Sequence, residues 1–174
     1  RTNWNRWQTE EYRNLGFDAS DYYQSYGIGF YEYFQFCEDI GAKPVPVVNC
    51  GMTCQWHESL LVDMDKLSPF VNDVLDLIEF ANGDKTTYWG SRRAEMGHPE
   101  PFGLEYIGIG NEQWGLEYFK RYEVFERIIS EKYPNIKLIT SAGWKDCGCE
   151  YDIAYDWMSK NKDKAYAVDE HFYK

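Results

Sequence analysis

The chain has 174 residues, 44% of them hydrophobic and 18% aromatic, enough apolar mass to bury one sizeable core and too much for a disordered tail. Against 18 Lys and Arg stand 29 Asp and Glu, a formal charge of -11, which repels phosphate backbones and anionic lipid surfaces and argues against nucleic acid or membrane as partner. No uninterrupted apolar run approaches membrane-spanning length, and Arg1 to Trp7 has no signal-peptide core, so the sequence leaves the compartment unknown.

Residues 1 to about 24 scatter Trp4, Trp7, Tyr12, Phe17, Tyr22 and Tyr23 among polar residues without a sustained period and read as a long loop. From Gly29 a helical period sets in, with Phe30, Tyr33, Phe34, Cys37 and Ile40 forming a stripe that stops at Gly41. Pro44 to Gly51 is short and β-branched, a buried strand ending on polar residues. Ser68 and Pro69 open a second helix, Ser68 as N-cap and Pro69 at the first position, carrying Phe70, Val74, Leu75 and Ile78 as far as Asn82-Gly83. Asp84 to Gly103 reads as a long connection.

Leu104 to Gly110 is an apolar run with glycines where a tightly packed interior strand places them, and it ends abruptly in Asn111-Glu112-Gln113-Trp114. After Gly115 the period changes again, with Phe119, Tyr122, Phe125, Ile128 and Ile129 at helical spacing up to Tyr133-Pro134. Ile136 to Gly143 predicts a strand, Tyr151 to Lys160 a helix, and Ala165 to Tyr173 a last strand. Strict alternation of helix and strand implies a parallel sheet with right-handed crossovers. Neither G-x-G-x-x-G nor G-x-x-x-x-G-K-[ST] occurs at a strand-to-helix turn, which disfavours a nucleotide-binding sheet and leaves a barrel. The fold class expected is α/β, part of a (β/α)8 TIM barrel with about four strands and their helices. Residues 1–174 then form one partial catalytic barrel domain, cut from a longer protein at both ends.

In such barrels the chemistry sits at the C-terminal ends of the strands, where Glu112 falls. The alternative is an ordinary solvated loop acid. Glu105 is expected to close a polar layer at the barrel bottom, and Glu123, Glu126 and Glu131 to belong to a solvated helix face. Cys50-x3-Cys54-x2-His57 and Cys147-x-Cys149 both follow strands and carry zinc-ligand types, but neither has C-x2-C spacing, so free thiols and no metal are expected.

Taken as a set, Phe36-Cys37-Glu38-Asp39-Ile40-Gly41-Ala42-Lys43-Pro44, Val48-Asn49-Cys50-Gly51-Met52, Thr87-Tyr88-Trp89-Gly90, Gly97-His98-Pro99-Glu100-Pro101-Phe102, Gly110-Asn111-Glu112 and Val168-Asp169-Glu170-His171-Phe172-Tyr173 resemble α-L-arabinofuranosidases of glycoside hydrolase family 51. The likeness runs along nearly the whole chain in the family's order. It implies a (β/α)8 barrel with an appended β-sandwich and hydrolysis of arabinofuranosyl linkages with retention, with no cofactor. Carried over, Glu112 is the general acid/base and Asn111 its neighbour toward the sugar 2-hydroxyl. Trp89 is placed at the mouth of the site, Asn49 as a sugar contact, and His171 and Tyr173 beside the reacting sugar, with Phe172 where relatives often have Tyr.

Retaining cleavage needs two carboxyl groups roughly 5–5.5 Å apart. The resemblance puts the nucleophile on a seventh strand beyond this chain, so the 174 residues alone are expected to be inactive. The expected partner is an arabinose-containing oligo- or polysaccharide. The rivals are an endo-β-glucanase of the same family, or a non-catalytic carbohydrate- or metal-binding fragment. Half a barrel would also expose sheet edges that invite homo-oligomerisation.

Overall fold

A computed structural model describes residues 9–12, 22–25, 27–56 and 59–173. The chain divides into two compact units, Arg1–Ala42 and Lys43–Lys174. In the first, β1 (Thr9–Tyr12) and β2 (Tyr22–Ser25) pair antiparallel where the sequence reads as loop; the remaining calls on residues 1–24 lie outside the described residues. Helix α1 (Phe30–Ile40) starts after Gly29, whose N–H is held by the Glu32 carboxylate at 2.8 Å. It ends as the sequence predicts at Gly41, whose φ of 71° is the left-handed conformation that glycine adopts without a Cβ penalty.

The second unit is a four-stranded parallel sheet in the order β3-β4-β5-β6, formed by Val47–Val48, Tyr106–Ile109, Lys137–Ser141 and Ala167–Asp169. Strand β3 is shorter than predicted. Pro44 and Pro46 have no N–H to give a ladder, and only the Pro46 carbonyl is used, accepting from Gly108 N at 3.0 Å. Period-two alternation splits β4 cleanly: Ile107 and Ile109 are fully buried, while Gly108 and Gly110 join Val45, Val47, Ile139, Ala167 and Asp169 around a cleft of about 280 Å³ on the opposite face. Gly108 packs closely on its neighbour strand: a Cβ there would stand 3.0 Å from the Val47 side chain, which would have to shift by a few tenths of an ångström.

Helices α2 (Ser68–Asn82), α3 (Tyr88–Glu95), α4 (Leu116–Lys132) and α5 (Cys149–Lys160) make the connections. Ser68 is the first helical residue of α2 rather than its cap, Leu67 taking that place without a side-chain bond. The buried face of α4, Tyr118, Phe119, Tyr122, Phe125 and Ile129, meets α5 through Trp157, which stacks on Phe119 at 4.5 Å and lies edge-on to Tyr122 at 5.3 Å. Burying these aromatic and aliphatic side chains stabilises the layer by roughly 1.5–3 kcal/mol each.

Helix α3 falls inside the stretch that reads as a loop. Its entry is capped by the Thr87 hydroxyl, which accepts from Gly90 N. Its buried residues are Gly90 and Arg93. The Arg93 guanidinium is inaccessible to solvent and donates to four carbonyls: Phe80 at 2.7 Å, Gly83 at 2.8 Å, and His98 and Pro99 at 3.0 Å each. Two of these are at the C-terminal end of α2, where a cation also complements the helix dipole. Asn82 then fastens the end of α2 to the start of β4, its amide exchanging both bonds with the Leu104 backbone at 2.8 and 2.7 Å.

Candidate active site

Strand β4 ends in a sharp reversal. Gly110 donates the last ladder bond to Val48 O at 2.8 Å and turns with φ 79°. A side chain there would meet Gln113 Oε1 at 2.6 Å and Cys50 Sγ at 3.1 Å, so only glycine fits. Two residues on, Glu112 has a φ of 58°, an unusual conformation for a residue with a Cβ. The strained turn aims its half-buried carboxyl group over the exit end of the sheet.

There it meets the end of β6. Residues 167, 169, 171 and 173 share parity, and the chain beyond β6 carries that alternation to Glu112. His171 Nδ1 lies 2.7 Å from Glu112 Oε1, the Tyr173 hydroxyl donates to the same oxygen, and His171 Nε2 lies 2.9 Å from Asp169 Oδ2. Oε2 of Glu112 has no partner among the described residues. A neutral imidazole can donate from one nitrogen only, so a carboxylate at each nitrogen favours the cation. Burial acts against that charge, but the hydrogen bonds and charges of Glu112 and Asp169 outweigh it and raise the His171 pKa above its ordinary value. The Tyr173 hydroxyl is likewise held above the usual tyrosine range, first by its bond to Glu112.

The sheet beneath is held open to make room. β4 and β5 pair directly as far as Gly108 and Ile139; beyond that point the Tyr118 hydroxyl is inserted between the strands, donating to Ile109 O at 2.7 Å and accepting from Ser141 N at 2.8 Å. The loop after β3 closes from the other side, with the Gln55 amide taking both backbone groups of Trp114, O at 3.0 Å and N at 2.8 Å.

Of the residues singled out by sequence, Glu112, His171 and Tyr173 come together, with Asn111 next to them and exposed. Asn49 lies at the exit end of β3, but its Oδ1 accepts from its own Gly51 N at 2.7 Å, a local turn that occupies the oxygen. Trp89 has to be corrected. It sits on α3, its backbone N–H donating to the Glu79 carboxylate near the end of α2 at 2.9 Å, and Glu79 and Thr87 share a cleft with Leu104, Glu105, Tyr133 and Ile136, where β4 and β5 begin. Because α2 runs back along the sheet, α3 lies at the strand-entry end, opposite Glu112. From the sequence, Glu170 next to His171 is the acid expected to orient the ring; in the structure that place is taken by Asp169, whose parity with His171 was the signal, and Glu170 accepts from the Tyr151 hydroxyl at 3.3 Å.

Glu105 stands at that same entry end, bonded to Lys43 at 2.5 Å and Lys137 at 3.5 Å, with its pKa lowered first by the Lys43 bond. The five cysteines are free thiols; Cys50 is buried, which pushes its thiol up to about 11, and Cys54, Cys147 and Cys149 are exposed. His57 lies outside the described residues.

A carboxyl group at the C-terminal mouth of a parallel α/β sheet, met by a histidine and a tyrosine from the chain beyond β6, two strands away, lies where α/β barrels keep their active sites. All of residues 1–174 match the family described as the alpha-L-arabinofuranosidase 1 domain, and the chain belongs to that family. It is 44% identical over 153 residues to the extracellular exo-alpha-L-arabinofuranosidase of Streptomyces chartreusis, covering 87% of this chain and 18% of that protein. It is 45% identical over 125 residues to alpha-L-arabinofuranosidase 1 of Arabidopsis thaliana, covering 71% of this chain and 18% of that one. The chain thus spans about a fifth of the length of the relatives it matches. Among solved structures, the arabinose-bound MgGH51 α-L-arabinofuranosidase superposes with a TM-score of 0.60 at 30% identity over 70% of this chain and 19% of that chain. The family 51 α-L-arabinofuranosidase AbfB of Bifidobacterium longum matches the fold over 91% of this chain and 30% of its own, with a TM-score of 0.67 at 16% identity. The sheet and its helices are a portion of a TIM barrel.

Proposed function

We propose that the complete protein carrying this chain is a retaining, exo-acting α-L-arabinofuranosidase that removes arabinofuranosyl groups from plant polysaccharides or oligosaccharides. Residues 1–174 are then one part of its catalytic barrel, and the nucleophile comes from outside them. The observation that carries the reading is the Glu112 cluster: a carboxyl group with one oxygen bound by His171 and Tyr173 and the other without a partner among the described residues.

In this reading Glu112 is the general acid/base. Oε2 carries the proton to the departing glycosidic oxygen, and the charge left behind collects on a carboxylate whose Oε1 already receives the Tyr173 hydroxyl and the His171 N–H. In the second half-reaction the same carboxylate takes a proton from the attacking water. In the same reading Asn111, exposed beside Glu112, bonds the sugar 2-hydroxyl, and Asn49 is the weaker candidate because its oxygen is engaged within its own turn. His171 and Tyr173 position the acid as well as bordering the sugar. The arabinose bound to the MgGH51 enzyme at 30% identity supports the substrate class.

The test is the substrate panel of the complete protein: an aryl α-L-arabinofuranoside, an arabinose-branched oligosaccharide and a mixed-linkage β-glucan. Release of arabinose with retained anomeric configuration, followed by proton NMR, is expected. Cleavage of the β-glucan with no action on either arabinoside would replace this reading by the endo-glucanase one.

A further inference from the structure

The loops that leave β3 and β5 touch above the exit end of the sheet through two indoles. The ring centroids of Trp56 and Trp144 are 5.1 Å apart and tilted by 56°, so the pair forms an open wedge, and Trp56 keeps 59% of its surface exposed. The wedge therefore presents indole surface to solvent at the exit end.

Both loops are fastened to the backbone immediately after Glu112. Gln55, next to Trp56, holds the Trp114 N–H and C=O. Gly143, next to Trp144, packs against Trp114 so closely that a Cβ there would lie 3.3 Å from the Trp114 Cβ. The wedge is therefore anchored to the rim of the Glu112 cluster at two points, Gln55 and Gly143.

Its chemistry suits a neutral ring. The one cation over it, Lys145 at 5.1 Å from the Trp144 ring, is already paired with Glu150 at 3.3 Å, so no free charge remains among the described groups to select an anion. Indole faces supply apolar area for the C–H face of a sugar, and their N–H groups supply donors for its hydroxyls. A general acid must be within hydrogen-bond reach of the glycosidic oxygen, so the structures bordering it also border the departing group.

We propose that Trp56 and Trp144 form the stacking platform for the sugar residue on the leaving-group side of the scissile bond. The proposal rests on the reading of Glu112 as the general acid. The platform contributes only when the leaving group is large enough to lie on the indoles, and contributes nothing to a leaving group as small as fluoride.

The test compares Trp56→Ala and Trp144→Ala in the complete protein on two substrates, an arabinose-branched oligosaccharide and α-L-arabinofuranosyl fluoride, whose leaving group is too small to reach the indoles. The expected result is a roughly tenfold fall in kcat/KM for the oligosaccharide, mainly through KM, with the fluoride changed by less than about twofold; Trp56→Phe retains most of the wild-type value. Equal losses on both substrates would mean that the pair only holds the loops around Glu112, and no loss on the oligosaccharide would mean that no sugar stacks there; either overturns the proposal. A wild-type protein inactive on both substrates removes the reading of Glu112 itself, and the platform with it.

Discussion

Replacing Arg93 by methionine keeps most of the side-chain volume and removes every donor. Four backbone carbonyls, of Phe80, Gly83, His98 and Pro99, lose their bonds to the guanidinium in a place with no solvent access. A buried acceptor left unmade costs about 1–3 kcal/mol, partly offset because methionine carries no charge to desolvate, so the net loss is about 3–5 kcal/mol. Against the roughly 5–15 kcal/mol that holds a domain together this is severe. Its neighbour supplies the control. Arg92 is paired with Glu95 at 2.7 Å, but the two side chains are 49% and 63% exposed, and Arg92→Met is expected to leave the stability nearly unchanged. Urea unfolding of the complete protein, followed by fluorescence, reads both: a midpoint lowered by more than about 1 M for Arg93→Met and nearly unchanged for Arg92→Met. Similar midpoints for the two variants would refute the claim that the buried clasp, rather than charge on α3, joins α2 to the approach to β4.

Two further outcomes follow from the cluster and the strands beneath it. Tyr118→Phe strands Ile109 C=O and Ser141 N–H at the splayed end of β4 and β5, at a cost of about 1–3 kcal/mol in unfolding free energy, and amide exchange at Ser141 should rise accordingly. His171 has a folded-state pKa above its unfolded one, so its protonated form contributes stability that is fully present below about pH 6.5 and is lost as pH rises through the folded pKa. Asp169→Asn removes one of the carboxylates raising it, so the titration of the His171 ring by NMR should move to lower pH; an unmoved titration would contradict the link between them.

Much of this architecture was written in hydrophobic period. The stripe of α4 and the alternation in β4 each have a strong signal because their buried faces are made of Tyr, Phe and Ile. Helix α3 was hidden for the converse reason: its buried face is Gly90 and Arg93, and no apolar stripe marks a helix anchored by a guanidinium. Strands β1 and β2 are four residues each, too short for a period to stand out from the surrounding aromatic residues. Trp89 illustrates a different limit. Its motif is specific, but a motif does not say at which end of the sheet it lies, and that depended on where α2 ends and on the unexpected α3. His171 and Tyr173 were legible as site residues through the family resemblance alone, and the chain beyond β6 brings them to Glu112, whereas the Asp169 contact to the far imidazole nitrogen needed coordinates.

The most direct test of the account is the Glu112→Gln variant of the complete protein on two aryl α-L-arabinofuranosides, one with a poor and one with an excellent leaving group. If Glu112 protonates the departing oxygen, kcat/KM on the poor leaving group falls by about 10²–10⁴-fold and on the excellent one by much less, since that group departs without a proton. Equal activity of variant and wild type on both substrates would contradict the assignment of Glu112 and the chemistry built on it.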